Sequence, residues 1–332
     1  MNRREFLKTV AATAAGLMLT NGFAKGLAAY GREDTMNTTG KNPTVYMTTD
    51  ISPKGLMAMY QTLGQEVGGR VAVKLSMGEP GGHYFLNPNL IKDLVHAVKG
   101  TFVDGNTAYG GKRSTVANHM RTARDHGFAA VADVDILDSE GEIRLPVSGG
   151  KHLAEVRVGS HFKNYDSVLV LSHFKGHLMA GFGGALKNIA IGMASPAGKC
   201  LIHTAGKSET SIMDGPEKVE DFQESMAEAA QGMIGAMGTE NMVYINVMNN
   251  LSIDCDCDSN PSAPELPDIG ILASLDPVAV DKACVDLIYS ADPEKSASLR
   301  KRMESRKGIR ILSHAEELGV GRQQYDLVSI DS

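Results

Sequence analysis

The stretch SVLVLSHFKGHLMAGFGGALKN (167–188) begins with four apolar residues in a row, Val168 to Leu171, and then turns to histidine, lysine and glycine. An apolar, β-branched run bounded this way reads as a strand buried on both faces, as in a parallel sheet under two helical layers. The polar residues leave its carboxyl end, the edge where open α/β sheets bind ligands. His173 and His177 would share one face of a helix, but GFGG (181–184) predicts a loop there.

Outward from this point the chain alternates. TVYMT (44–48), RVAVKLS (70–76) and TFVD (101–104) read as strands. PKGLMAMYQTLGQEV (53–67), PNLIKDLVHAV (88–98) and STVANHMRTARDHG (114–127) read as helices, with Pro53 and Pro88 at first positions, Asn87 and Ser114 as caps and Gly127 as a stop. ADVDILD (132–138) and EIRLPV (142–147), around SEG (139–141), predict a hairpin insertion. In PEKVEDFQESMAEAAQGMIGAMG (216–238), Met226, Ala230, Met233 and Met237 recur near helical spacing, a stripe that reads as core. NMVYINVM (241–248) and IGILAS (269–274) read as strands, DPVAVDKACVDLIYS (276–290) as a helix, and SASLRKRMESRKG (296–308) as a basic helix with a solvated face. The expected fold class is therefore α/β, a mostly parallel sheet with helices on both faces, in one body or two lobes.

Composition agrees with a globular chain, since 42% of the 332 residues are hydrophobic and 22% charged. A net charge of -6 leaves no electrostatic footprint for nucleic acid. With 5% aromatics and no Trp, stacking platforms for sugars or single strands are not expected. Four cysteines are too few for a disulfide scaffold at this length.

Residues 1–29 read as an address rather than as fold. Paired arginines in NRREFLK (2–8), followed by the weakly apolar VAATAAGLMLT (10–20), resemble a twin-arginine export signal, with GFA (22–24) or LAA (27–29) before the cut. The apolar run is too short to span a bilayer permanently. The expectation is export by the twin-arginine machinery to the periplasm or extracytoplasmic face, with residues 30–332 forming a single cofactor-binding domain. Such cargo commonly crosses folded around a cofactor, and an oxidising compartment makes unligated thiols liable to pair.

Three constellations carry chemistry. In the first, the quoted stretch joins GKCLIH (198–203), so that His173, His177 and His203 supply imidazoles and Lys187 an amine that acts as clamp or covalent anchor. Gly183 and Gly184 let backbone approach a cofactor or anion closely, and Lys199 adds a cation. Pattern alone fits equally a glycine-rich turn with surface histidines.

The second is LSIDCDCDSNPSAPELPD (251–268), where Cys255 and Cys257 sit among Asp254, Asp256 and Asp258. In an extended loop a C-x-C pair does not readily close on itself, whereas both sulfurs reach one soft metal or cluster iron. The alternative is a solvated acidic turn. Cys200 and Cys284 complete four thiols, although Cys284 lies on the apolar stripe of its helix and reads as buried.

The third is NTAYGGKRST (106–115), in which Tyr109, Lys112 and Arg113 precede a helix and form either a carboxylate or phosphate clamp or a polar surface turn. MGEPGGHYF (77–85) adds Glu79 and His83 to the same rim.

Taken together, NTAYGGKRST, SHFKGHLMAGFGGALKN with Gly198 and Lys199, CDC (255–257) and DIGILASLDPVAVDKAC (268–284) resemble the domain-of-unknown-function family DUF362. Some members of that family carry a ferredoxin-like segment. Its C-x-x-C-x-x-C run is missing from this sequence, so a cluster would have to use the four scattered cysteines. HLMAGFGGALK (177–187) followed by His203 is also similar to a stretch of the nickel-pincer lactate racemases. That resemblance implies Lys187 as cofactor anchor, His203 as nickel ligand and His177 as acid/base. Lys112 stands where the second acid/base histidine belongs, which weakens two-base racemisation.

The expectation is an enzyme of redox or isomerase type acting on a small anionic substrate, with an iron-sulfur cluster or a transition metal (iron, nickel or zinc). His177, Lys187 and His173 are the catalytic candidates, Lys112, Arg113 and Tyr109 bind substrate, and Gly183, Gly184, Lys187 and Lys199 hold the cofactor. Cys255, Cys257, His203 and Cys200 are the metal candidates. The alternatives are a racemase-like 2-hydroxy acid isomerase and a non-catalytic metal carrier or electron-transfer protein with a redox partner.

Overall fold

The structure, a computed structural model, describes residues 41–331, so the export signal read over residues 1–29 lies outside the described residues. The first half runs β1 (Thr44–Thr48), α1 (Pro53–Thr62), β2 (Val71–Lys74), α2 (Pro88–Ala97), β3 (Thr101–Asp104), α3 (Val116–Asp125), β4 (Val134–Ile136), β5 (Glu142–Pro146) and β6 (Glu155–Gly159). The second half runs β7 (Ser167–His173), β8 (Lys175–His177), β9 (Gly181–Gly183), α4 (Ala185–Met193), α5 (Pro196–His203), α6 (Val219–Met237), β10 (Met242–Met248), β11 (Gly270–Ser274), α7 (Pro277–Ser290), α8 (Pro293–Ser305), α9 (Arg310–Glu317) and β12 (Asp326–Ser329).

Eight strands form one sheet in the order β12-β1-β11-β10-β7-β2-β3-β4. β11 runs antiparallel to both neighbours, and the other pairings are parallel. The α/β class read from the sequence is thus the observed one. β7 lies at the centre, and its alternating residues feed two cores. Val168 and Val170 join Leu186 and Ile189 of α4 and Met226 and Met233 of α6. Leu169 and Leu171 join Leu56 of α1, Ile91 and Leu94 of α2, and Ala123 of α3. Two faces each covered by helices explain why VLVL carries no polar residue.

From β2 the chain moves to β3 and β4 on one side, and from β7 to β10 on the other. The loops leaving β2 and β7 therefore diverge and open a crevice at the carboxyl edge, the usual ligand position in such sheets.

Several local readings change. The hairpin read at 132–147 does not form: β4 pairs parallel with β3, and β5 pairs antiparallel with β6. SEG is the exit from the sheet, and the true hairpin turn lies at Gly149, which adopts φ 70°. Strand partners are chosen by sheet position, which local pattern does not encode. The first helix stops at Thr62 because Gly64 takes φ 67°, and Thr115 rather than Ser114 caps α3. The glycine loop after β7 is a small hairpin, β8 with β9, that leads directly into α4. The methionine stripe of α6 is core, with Met226, Ala230, Met233 and Met237 all buried. α8 has more than a solvated face, for Arg302 donates to the Ile253 carbonyl at 3.0 Å and pairs with Asp254 at 3.3 Å.

Candidate functional site

Each strand that ends at the crevice contributes a charged or polar side chain. Lys74 closes β2 and Asp104 closes β3, and their Nζ and Oδ1 are 3.1 Å apart with both residues buried. Lys74 also donates to Leu75 O at 3.0 Å and to Asn188 Oδ1 at 2.9 Å. The second Asp104 oxygen faces Arg113 Nη1 and His119 Nε2, each at 3.4 Å, and Arg113 Nε donates to Glu79 at 2.6 Å. Burial alone would raise the Asp104 pKa, yet Lys74, His119 and Arg113 hold it well below the usual carboxylate range. Arg113, read as a substrate clamp, is thereby committed to two carboxylates, whereas two other cations of the crevice pair with none among the described residues.

Those cations are Lys187 and Lys199. Lys187 extends from the first turn of α4 and has no carboxylate within ion-pair distance among the described residues. Lys199, on α5, donates to the Ala194 carbonyl at 2.5 Å. Burial lowers both amines to about 8. A cavity of about 110 Å³ is lined by Lys74, Arg113, Lys187 and Lys199 against the single carboxylate of Asp104. It is a small chamber suited to an anion.

Two histidines stand at its mouth in opposite tautomers. His177 Nδ1 accepts from the amides of Met179 (3.2 Å) and Ala180 (2.9 Å), so its ring hydrogen is on Nε2. His203 Nδ1 lies 2.7 Å from the Lys199 carbonyl and must donate to it, leaving a lone pair on Nε2. Burial, then Lys187 and His203, keep His177 well below the ordinary histidine value. Burial also lowers His203 to about 4, and its ring stacks on Phe222 at 4.8 Å. Both imidazoles are neutral near pH 7. His177 presents a donor and His203 an acceptor. Both line the inner chamber and also an outer one of about 550 Å³, and Tyr109, Ile212 and Cys257 share that boundary. Lys112 is exposed and lines only the outer chamber.

His173, read as catalytic, has a structural task. Its Nδ1 meets Asp256 at 3.0 Å and its Nε2 meets the Asn249 carbonyl at 2.6 Å, so both ring nitrogens are occupied. Lys175 binds the same Asp256 at 2.9 Å, and His173 with Lys175 brings that carboxyl down to about 2 against the opposing effect of burial. Asp256 is the middle residue of CDC, and its carbonyl accepts from Glu79 N at 2.8 Å, so these contacts clamp the cysteine loop to the crevice. His83 is exposed and bonds to Gly81 O.

The cysteine reading needs correcting. The loop is not extended: Asp258 N donates to Cys255 O at 3.0 Å, the Cα atoms of Cys255 and Cys257 are 5.2 Å apart, and their sulfurs are joined. A turn shortens the Cα separation into disulfide range. A ring nitrogen of His177 lies within 4.8 Å of both sulfurs, in a group with the residue types of a metal site. Cys200 and His203 are not part of this group. Cys200 is buried on α5, and Cys284 is buried on α7, where it accepts from Asn246. The four-cysteine cluster considered from the sequence therefore does not assemble among the described residues.

One residue absent from the sequence-based candidates sets the position of Lys187. Asp281 of α7 accepts from the amides of Ala185 (2.7 Å) and Leu186 (3.0 Å), capping α4 from another element. Burial raises this carboxyl to about 6. A Cβ at Gly184 would overlap the Asp281 carboxylate, which explains the last glycine of GFGG. Gly184→Ala is expected to lower stability by about 1–3 kcal/mol by overpacking, read as a lower urea midpoint; an unchanged midpoint would show that the cap is dispensable.

Asp104, Lys74 and Asp281 were missed because a charge at a strand's end or inside a helix looks solvated until its partners are known. A lysine closing VAVK and an aspartate closing TFVD, each at a crevice edge, were the available signals.

A family model described as a domain of unknown function, DUF362, matches residues 71–286. No curated protein matches the sequence. Among solved structures, the lactate racemase apoprotein from Thermoanaerobacterium thermosaccharolyticum is 13% identical with a TM-score of 0.39, over 64% of this chain and 52% of that one. A crystal structure of a Thermotoga maritima protein is 11% identical with a TM-score of 0.43, over 77% of this chain and 58% of that one. The chain thus spans little more than half the length of either.

Proposed function

The chain belongs to the DUF362 family, and because that description carries no reaction we propose a function from the residues themselves: an enzyme that moves a proton on a small anionic substrate. The observation that carries this reading is the pair of opposite tautomers, His177 and His203, at the mouth of a cationic chamber. A carboxylate head would sit against Lys187 and Lys199, placing the adjoining carbon or hydroxyl between the two rings. His203 Nε2 takes the proton while the Lys199 carbonyl holds its other nitrogen, and His177 Nε2–H supplies one. At about 4, His203 is a weak base in the empty site; the bound anion beside it raises its basicity, so proton removal is tied to occupancy. The reaction class is isomerisation. An exported location, from the signal read at residues 1–29, belongs to the same proposal and is tested by cell fractionation.

The test is to incubate the protein in D₂O with a panel of 2-hydroxy, 2-oxo and 2-amino acids, following loss of the α-proton by NMR and enantiomer ratio by chiral chromatography. Exchange with at least one acid that also raises the melting temperature is the expected result. Acids that bind without exchanging would remove the proton-transfer reading and leave a binding protein.

A second reading, a nickel-pincer isomerase, is favoured by the free amine of Lys187 and the lone pair of His203 Nε2, the two groups that would hold such a cofactor. When bound, the group would supply an electron sink for the substrate's C–H bond. Lys112, exposed on the rim, is not placed to serve as a second base. Nickel in the purified protein and a mass increment on Lys187 would favour this reading over the first; iron, zinc or no metal would not.

Anion binding should depend on pH through the two amines. Binding favours their ammonium forms, so affinity holds below about 8 and falls as pH rises through that value. In the unliganded protein the signs reverse: the lowered values mean that the charged forms cost stability, which is recovered as pH rises from about 8 toward the ordinary lysine value of 10.5. The thermal shift given by a binding acid should therefore shrink between pH 7 and 9 (about a unit to either side of the shifted amines). A shift that stays constant over that interval would show that neither lysine contacts the anion.

A further inference from the structure

The cleft wall holds a second chemistry, carried by Cys255 and Cys257. A metal would need lone pairs from the groups around it, and His177, the nearest other candidate ligand, has none to give. Its Nδ1 is taken by two amides and its Nε2 carries the hydrogen. The same surroundings suit sulfur that becomes an anion, because a backbone N–H aimed at it stabilises a thiolate. The amide of Cys257 already donates to Cys255 Sγ at 3.1 Å. Both cysteines are half-buried and line the outer chamber, and Cys257 also lines the inner one.

The turn that carries them is held from outside the sulfurs. Asp256 is tied to His173 and Lys175, and Asp254 to Ser262 (2.7 Å) and Arg302 (3.3 Å). The two sulfurs therefore stay neighbours whether or not they are bonded to one another. We propose that Cys255 and Cys257 form a thiol–disulfide redox couple that exchanges electrons with an external dithiol entering through the outer chamber.

The steps balance. A thiolate of the partner attacks Cys257 Sγ, the intramolecular S–S bond breaks, and Cys255 leaves as a thiolate held by the Cys257 amide. The partner's second thiol, once deprotonated, attacks the mixed disulfide at its own sulfur and releases Cys257. The partner dithiol is oxidised to a disulfide, the pair is reduced, and two electrons and two protons pass to this chain. Oxidation runs the same steps in reverse.

The experiment uses the full chain, native, equilibrated in a series of reduced-to-oxidised dithiothreitol ratios, then acid-quenched, unfolded and labelled with a maleimide. Expected is a peptide containing Cys255 and Cys257 that moves from unlabelled to doubly labelled as the ratio becomes reducing, and back again when the ratio is reversed. The variant Cys257→Ser, given oxidised glutathione, should take up glutathione at Cys255. Three results would overturn the couple. The peptide could be labelled at every ratio, so that the thiols do not pair; it could stay unlabelled at every ratio applied to the native chain and be labelled only when dithiothreitol is added after unfolding, as an inert cross-link would; or it could be labelled only after a chelator strips a stoichiometric metal. If the serine variant does not fold, the wild-type series decides alone.

Discussion

Replacing Asp104 by alanine is expected to lower the unfolding free energy by about 3–5 kcal/mol, the usual cost of removing one partner from a buried ion pair. Asp104 is the shared counter-charge of Lys74, Arg113 and His119, all buried, so its loss leaves those groups without the anion that made their burial tolerable. The sign follows from its lowered pKa: the carboxylate contributes stability above the unfolded aspartate value, and this is lost as pH falls through and below it. Asp104→Asn keeps the shape and one acceptor oxygen and should fall between wild type and alanine. A shift in urea midpoint equivalent to less than about 1 kcal/mol, the size of an ordinary surface pair, would show that the bonds Lys74 already makes to Asn188 and the Leu75 carbonyl suffice to hold its charge. Because Lys74 and Asn188 also fix α4, the alanine variant should lose anion affinity together with stability.

His203→Gln is expected to slow proton exchange by about 10²–10⁴-fold, the usual contribution of a positioned general base. The amide can still donate toward the Lys199 carbonyl, but it has no basic nitrogen to offer the substrate. The effect should appear in kcat, with KM nearly constant, since Lys187 and Lys199 hold the anion. His177→Gln should act on the same step, and the double variant should be little worse than either single one, because the two rings serve one proton path. Lys187→Met should do the reverse and raise KM. A His203 variant with full exchange and weakened binding would move that residue from proton transfer to substrate contact.

Much of the frame was legible in local sequence. VLVL at 168–171 is apolar at every position, and a strand of that kind needs helices on both sides. Proline after a capping residue marked α1 and α2 to the residue at their starts. The loops after β2, β3, β7 and β10 were recognised as the chemical edge because residue type changes abruptly where a buried strand ends. His177, Lys187, Lys199, His203, Cys255 and Cys257, singled out from three separate stretches of chain, do line one connected cleft.

What the sequence determined by itself was the layered α/β body and the strand ends that carry reactive groups, since burial on two faces and the end of burial are both written in consecutive residues. Only the tertiary structure decided what each group does there. His173 and His177 look alike in the chain, yet one has both nitrogens bound to Asp256 and Asn249 and the other has one nitrogen directed to the cleft. Arg113 is spent on Asp104 and Glu79, Lys187 is not, and the cysteine loop curls because its middle aspartate is held from β7 and β8. Hydrogen-bond partners fix tautomer, charge and reach, and in this site those partners come from residues up to 114 positions away along the chain, a separation that no local pattern records.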